Sequence, residues 1–160
     1  MRKEKIVEIM DDGNLLTFKI KQMSAIKQER WMNKVLILAS GTLSEKSNVI
    51  SGLFSNINKI SSSFKNMDFS KFMEMFGKLD YDKVEPLYNE LLECCSHVPD
   101  SNNTNFATPL NANNADSIIS DVKTLYKLRF EALKLNFSFF NSGAKSPNQK
   151  TADITYTKRM

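Results

Sequence analysis

The spacing of apolar residues changes along the chain, and each change marks a predicted element. Over residues 5–21 the period is two: Leu16, Phe18 and Ile20 alternate with Thr17, Lys19 and Lys21, on opposite faces of a strand. Lys5-Ile6-Val7-Glu8-Ile9 alternates less cleanly, and Asp12-Gly13 between the two runs is a strong hairpin turn signal. A lone hairpin is marginal in water, so its apolar face needs a cover. From residue 24 the period lengthens to that of a helix. Ser24 is placed to cap a helix over 24–40, with Ile26, Trp31, Val35, Leu38 and Ala39 on its stripe and Leu36 and Ile37 beside it. Trp31 is expected in the core, against the hairpin and the last helix.

Helical spacing continues more weakly over 45–60. Seven serines and four asparagines dilute the apolar positions between residues 42 and 66, which suits an exposed helix better than a central one. Phe69, Phe72, Met73 and Phe76 follow i, i+3, i+4, i+7 in a predicted helix over 68–77 that Gly77 ends. Asp80 caps a helix over 81–96 with Val84, Leu87, Tyr88, Leu91, Leu92 and Cys95 buried. Pro86 either starts that helix or kinks it. Residues 97–114, with two prolines and six asparagines, read as a loop or extended crossing. Asn114 then caps the strongest helix, 115–140, roughly 38 Å long. The predicted fold is mainly α with a small N-terminal β-hairpin (α+β), a helical domain closed by a long C-terminal helix. One globular domain spans 1–140, and 141–160 is patternless enough to predict a disordered basic tail.

Composition narrows the function more by exclusion than by suggestion. The chain of 160 residues has 41% apolar and 25% charged residues, with eleven Phe, eight Met and one Trp to fill a core. No apolar run is long enough to span a membrane, and the N-terminus lacks the apolar core of a signal peptide. The formal charge is +4, but four cations against Asp153 in the last twenty residues account for three of it, leaving +1 for the first 140. Basic residues there are interleaved with acids, whereas a phosphate-binding surface needs clustered positive charge. No nucleic-acid partner is expected. Cys94 and Cys95 are adjacent and form no disulfide framework, which fits a reduced cytoplasmic protein.

Catalytic chemistry finds no purchase. His97 is the only histidine, and its place at a predicted helix end suits capping or solvation. The five glycines are scattered and form no phosphate-cradling loop. Asp11-Asp12, Asp80/Asp82 and Glu90/Glu93 sit in a turn, at a helix start and on a wet face, where acids belong without a chemical role. Neither metal, cofactor nor catalytic residue is expected.

What stands out is bulky apolar surface. Met67, Phe69, Phe72, Met73, Met75 and Phe76 fall within ten residues. Either they are simple core or they form an adaptable surface for helical partners, as methionine-rich grooves do. Phe137, Phe139 and Phe140 leave the last turns of the final helix apolar nearly all round, so it is central to the fold or meets a partner or another copy of the chain. These nine positions are the candidate partner-binding residues.

Three segments, in order, resemble a known family. Leu16 through Ala25 running into Gln28-Glu29-Arg30-Trp31 resembles the opening of the tail assembly chaperones of long-tailed bacteriophages, where an alternating strand passes through a Met-x-Ala turn into a helix with an acid–x–Trp step. Leu79-Asp80-Tyr81 with Val84 through Leu87 and Glu90 through Cys94 resembles the family's central helix. Leu125 through Leu133 with Asn136-Phe137-Ser138-Phe139-Phe140 resembles its closing helix. Together they cover about half the chain, while 42–67 and 97–114 carry no recognisable counterpart. The resemblance implies a non-enzymatic chaperone that binds the tape measure protein during tail assembly, in the cytoplasm of the bacterial host, and is absent from the mature virion. The alternative is a structural phage component, a tail terminator or head–tail joining protein. A third reading, a nucleic-acid-binding regulator, is motivated only by the basic tail.

Overall fold

Asp12 and Gly13 both take positive φ, 45° and 84°, the backbone of the type I′ turn whose twist matches a two-residue hairpin. They join β1 (Glu4–Asp11) to β2 (Asn14–Lys21), with Val7 opposite Phe18 and Asp11 opposite Asn14. The structure, a computed structural model, describes residues 1–41 and 69–137. The predicted helix over 45–60, the tail 141–160 and residues 138–140 of the last predicted helix lie outside them.

The hairpin is half of a larger sheet. β3 (Cys95–Val98) pairs antiparallel with β2, and β4 (Thr108–Pro109) pairs with β3, giving the order β1-β2-β3-β4. Neither strand is predicted by the apolar pattern, which runs a helix to residue 96 and a loop beyond it. Cys95 satisfies both readings: it continues the helical stripe, and as a strand residue it sits opposite Ile20 on the core face. The choice is made by β2, whose Lys21 N–H donates to the Cys94 carbonyl at 2.8 Å. His97 is therefore a strand residue, its ring 5.7 Å from that of Phe18, and not a helix cap.

Four α-helices are described: α1 (Ala25–Gly41), α2 (Phe69–Gly77), α3 (Tyr81–Leu92) and α4 (Val122–Phe137). Ser24 Oγ accepts from the Lys27 N–H and Asp80 Oδ1 from the Asp82 N–H, so both expected caps form. Pro86 lies inside α3, which begins at Tyr81 and continues past it.

The final helix starts seven residues later than the pattern predicts. A 3₁₀ turn occupies Ala115–Ser117, and α4 begins only at Val122. Asn114 does not cap a long helix; its side chain braces the preceding turn, accepting from the Asn111 N–H and donating to the Pro109 carbonyl, each at 2.8 Å. The cap of α4 comes from elsewhere. Asp121 accepts from the Lys123 N–H, and Asp11, at the far end of β1, accepts from the backbone of Ser120 and Asp121 and from the Thr124 hydroxyl. A carboxylate facing the first turn of a helix satisfies orphan N–H groups and opposes the positive end of the helix dipole.

The fold is thus mixed α+β, with more sheet than expected. Ile9, Phe18, Ile20 and Cys95 on one sheet face join side chains from all four helices in a single core. Trp31 is at its centre, fully buried, 5.0 Å from the Phe137 ring and 6.1 Å from that of Phe76, with its indole N–H donating to the Leu87 carbonyl at 3.2 Å.

Candidate partner-binding site

The candidate residues separate when placed on the fold. Phe76 is 2% exposed and Phe137 3%, and both pack on Trp31. They are core side chains with no surface to offer a partner. An i, i+3, i+4, i+7 stripe identifies the face of a helix that is covered, and at Phe76 the cover is the chain itself. Met73 is half-buried against the same core. Phe72 and Met75 lie in α2, but their side chains are outside the described set, as are Met67, Phe139 and Phe140 altogether. Phe69, the first residue of α2, is the one described candidate at the surface, 39% exposed, its ring edge-on to Phe130 at 5.9 Å.

Phe69 opens onto a groove of about 600 Å³ between β1 and α4. Val7, Ile9 and Met10 form its strand wall, Phe69 and Phe130 its helical wall, and Lys5, Glu8, Lys127 and Glu131 its rim. Among the described residues β1 is an edge strand, so this groove runs beside a sheet edge. The rim is ion-paired: Lys5 and Lys134 each reach Glu131 at 2.6 Å. Burial pushes the Glu131 carboxyl up, but the hydrogen bonds from Lys134 and Lys5 outweigh it and hold the group below its ordinary value.

The outer face of the hairpin extends the apolar surface. Met10 and Leu15 are directly opposite one another and each 58% exposed, with Ile6 nearby on the same face. Sequence reasoning passed over these residues. Their signal was the imperfect alternation of the first strand: Ile6, Val7, Ile9 and Met10 make both of its faces apolar, which a sheet with one wet face does not need.

The thiols and the histidine offer no reactive centre. Burial pushes the Cys94 thiol up to about 11, and burial raises Cys95 as well; both are protonated at neutral pH and poor nucleophiles. Burial likewise lowers the basicity of His97. Among the described residues no group of three or more His, Cys, Asp or Glu is placed to hold a metal, and no helix is long and apolar enough to cross a membrane.

Comparison with known proteins adds one finding. A family model described as phage tail assembly chaperone protein matches residues 14–146. No curated protein and no solved structure matches the chain. The matched span takes in the four described helices and both stretches, 42–67 and 97–114, for which the sequence alone offered no counterpart in the family; β1 precedes it. The chain belongs to the phage tail assembly chaperone family.

Proposed function

We propose that this chain holds a helical segment of the phage tape measure protein in the groove between β1 and α4, keeping it soluble while the tail is built. It does so without catalysis, in the cytoplasm of the bacterial host, and leaves before the virion is complete. The observation that carries this reading is the groove itself: five apolar side chains between charged rims, in a member of a tail assembly chaperone family. A helix with side chains is about 10–12 Å across, and an amphipathic one lays its apolar face into such a trough. Met10 is suited to varied occupants because its unbranched thioether repacks readily. Phe69 contributes from the predicted Met/Phe segment, whose unplaced members Met67, Phe72 and Met75 are proposed to extend the same surface, with Phe139 and Phe140 beyond the end of α4.

The test is co-expression of the tape measure protein with this chain, wild type or Met10→Glu. Met10 is mostly exposed, so the variant keeps the fold, checked by circular dichroism. The wild type is expected to hold the tape measure protein in the soluble fraction and co-purify with it, and Met10→Glu to lose much of both. Binding buries apolar area, so calorimetry is expected to give a negative heat-capacity change with little dependence on salt. Equal solubility of the tape measure protein with and without the chain overturns the proposal. Recovery of the chain from purified particles favours the structural-component reading instead.

A further inference from the structure

The charges that are interleaved along the sequence do not stay interleaved in the fold. A cleft of about 490 Å³ gathers Arg2, Lys21, Lys27, Arg30 and Lys34 from the N-terminal segment, the end of β2 and α1. Glu90 of α3 and Glu93, which caps its C-terminal end, stand on its other wall. Lys34 is paired with Glu90 at 2.6 Å, and Lys21 with Glu4 at 3.4 Å. Arg2, Lys27 and Arg30 have no carboxylate partner among the described residues. Three unpaired cations therefore share one concave site.

The walls strengthen that field. The N-terminal turn of α1 lines the cleft at Ser24 and Lys27, adding the partial positive charge of a helix start. Cys94 lies at the cleft with its thiol donating to the Glu90 carbonyl, and burial keeps it protonated, so it brings no negative charge. On α1, Lys27, Arg30 and Lys34 follow i, i+3, i+7 and form one stripe along the helix.

We infer that this cleft is a docking site for an acidic segment of a partner protein, one with carboxylates spaced a helical turn apart. Carboxylates at that spacing reach Lys27 and Arg30, the two members of the α1 stripe not already paired with a carboxylate among the described residues. A nucleic acid fits the observations less well, on the extent of the site and not on its acidic wall, since Glu90 and Glu93 act alike on phosphates and carboxylates. Its backbone needs an extended basic track, whereas this cleft is short and its unpaired cations number three. The inference does not depend on what fills the β1–α4 groove, because the two sites share no residue.

The experiment uses the full chain and a fluorescein-labelled helical peptide with glutamates along one face, read by anisotropy, beside its glutamine twin. Lys27→Glu with Arg30→Glu inverts the cleft; Lys83→Glu with Lys123→Glu makes the same charge change at exposed sites away from both cleft and groove. Inverting the cleft is expected to weaken the glutamate peptide by at least about tenfold, given several ion pairs of modest individual strength. The control pair is expected to change it by less than about twofold, and added salt to weaken wild-type binding. The glutamine twin is expected to show no measurable binding. Equal losses in both double variants would reduce the effect to net charge and overturn the site. So would a single-stranded oligonucleotide that displaces the peptide and needs the same two residues more strongly. Met10→Glu, which disables the groove, leaves peptide affinity unchanged, so failure of the tape-measure proposal and failure of this one give different results.

Discussion

The buried side-chain oxygen Oδ1 of Asn136 accepts the backbone N–H of Met23 at 2.7 Å, 113 residues away in the chain. The same side chain donates to the Ala132 carbonyl at 2.8 Å, and Gln28 reaches the Asn136 backbone carbonyl at 2.7 Å. One residue on, Phe137 stacks on Trp31. Two of the segments that carry the family resemblance, the Met-x-Ala turn into the Trp helix and the closing Asn-Phe, thus meet in space. Their shared pattern is a scaffold: it locks the end of α4 to the start of α1.

Replacing Asn136 with Leu tests that lock. The substitution keeps the volume but leaves the Met23 N–H buried with no acceptor, an imbalance that costs about 1–3 kcal/mol per group. Urea unfolding is expected to show a loss in that range. Gln28→Ala, which removes only a half-exposed donor, is expected to cost about 1 kcal/mol or less. Similar small losses for both would show that Asn136 is not the keystone of the junction.

Trp31 gives an independent measure of the core, since it is the only tryptophan. Its indole touches rings from α2 and α4 and bonds to α3, so it joins three helices to α1. Trp31→Ala is expected to cost about 3–5 kcal/mol, as deletion of a fully buried large aromatic does. In the native protein its emission is expected at the short wavelength of an indole out of water, shifting red on unfolding. Red-shifted native emission would contradict the packing.

How much of this was legible in the sequence depends on whether the deciding contact is local. The I′ turn at Asp12-Gly13 and the caps at Ser24 and Asp80 are decided within a few residues, and all could be read directly. Burial of Trp31 was legible because its stripe on α1 is periodic. β3 was not, because Cys95 fits a helix stripe and a strand equally and the choice lies with β2, far away in sequence. The start of α4 was hidden in the same way: Asn114 looks like a cap, but the acceptor that sets the helix start is Asp11 on β1. At the candidate site, density of Phe and Met picked out the half-exposed Phe69 together with the buried Phe76 and Phe137, since composition does not tell exposed side chains from buried ones. The groove beside it was missed because its walls come from β1 on one side and from Phe69 and α4 on the other, far apart in sequence and brought together only when β1 lies along α4.

Asp11 makes stability depend on acid pH. Burial pushes its carboxyl up, but hydrogen bonds from Ser120, Asp121 and Thr124 outweigh that and lower it below its ordinary value of 3.8. A depressed folded value means that the unfolded chain binds the proton more readily. The stabilisation is therefore present above the ordinary value and is lost as pH falls through the folded one. Asp11→Asn is expected to cost about 1–3 kcal/mol at neutral pH, because a neutral amide cannot serve three donors as a carboxylate does. The gap between wild type and variant is expected to narrow steadily below pH 3.8. A gap independent of pH would show that charge on Asp11 plays no part in holding α4.

Lys5 is placed to oppose pairing of the β1 edge with another strand. Among the described residues β1 is an eight-residue edge strand with apolar residues on both faces, the kind of edge that pairs with another copy. Lys5 points to the core face, opposite Ile20, and its ammonium turns to Glu131 at 2.6 Å. An inward-pointing charge on an edge strand guards against such pairing, because a second strand laid alongside would have to strip water from it. Lys5→Val removes the guard and raises β propensity at once. The exposed ion pair contributes little, about 1 kcal/mol or less, and Glu131 keeps Lys134 as a partner. The variant is therefore expected to melt within a few degrees of wild type at low concentration but to form dimers or larger species as concentration rises. Light scattering coupled to size exclusion measures this directly, and Lys5→Arg, which keeps the charge, is expected to behave as wild type. If Lys5→Val stays as monodisperse as wild type at every concentration, Lys5 is not the guard and its pairing with Glu131 serves only the rim of the groove.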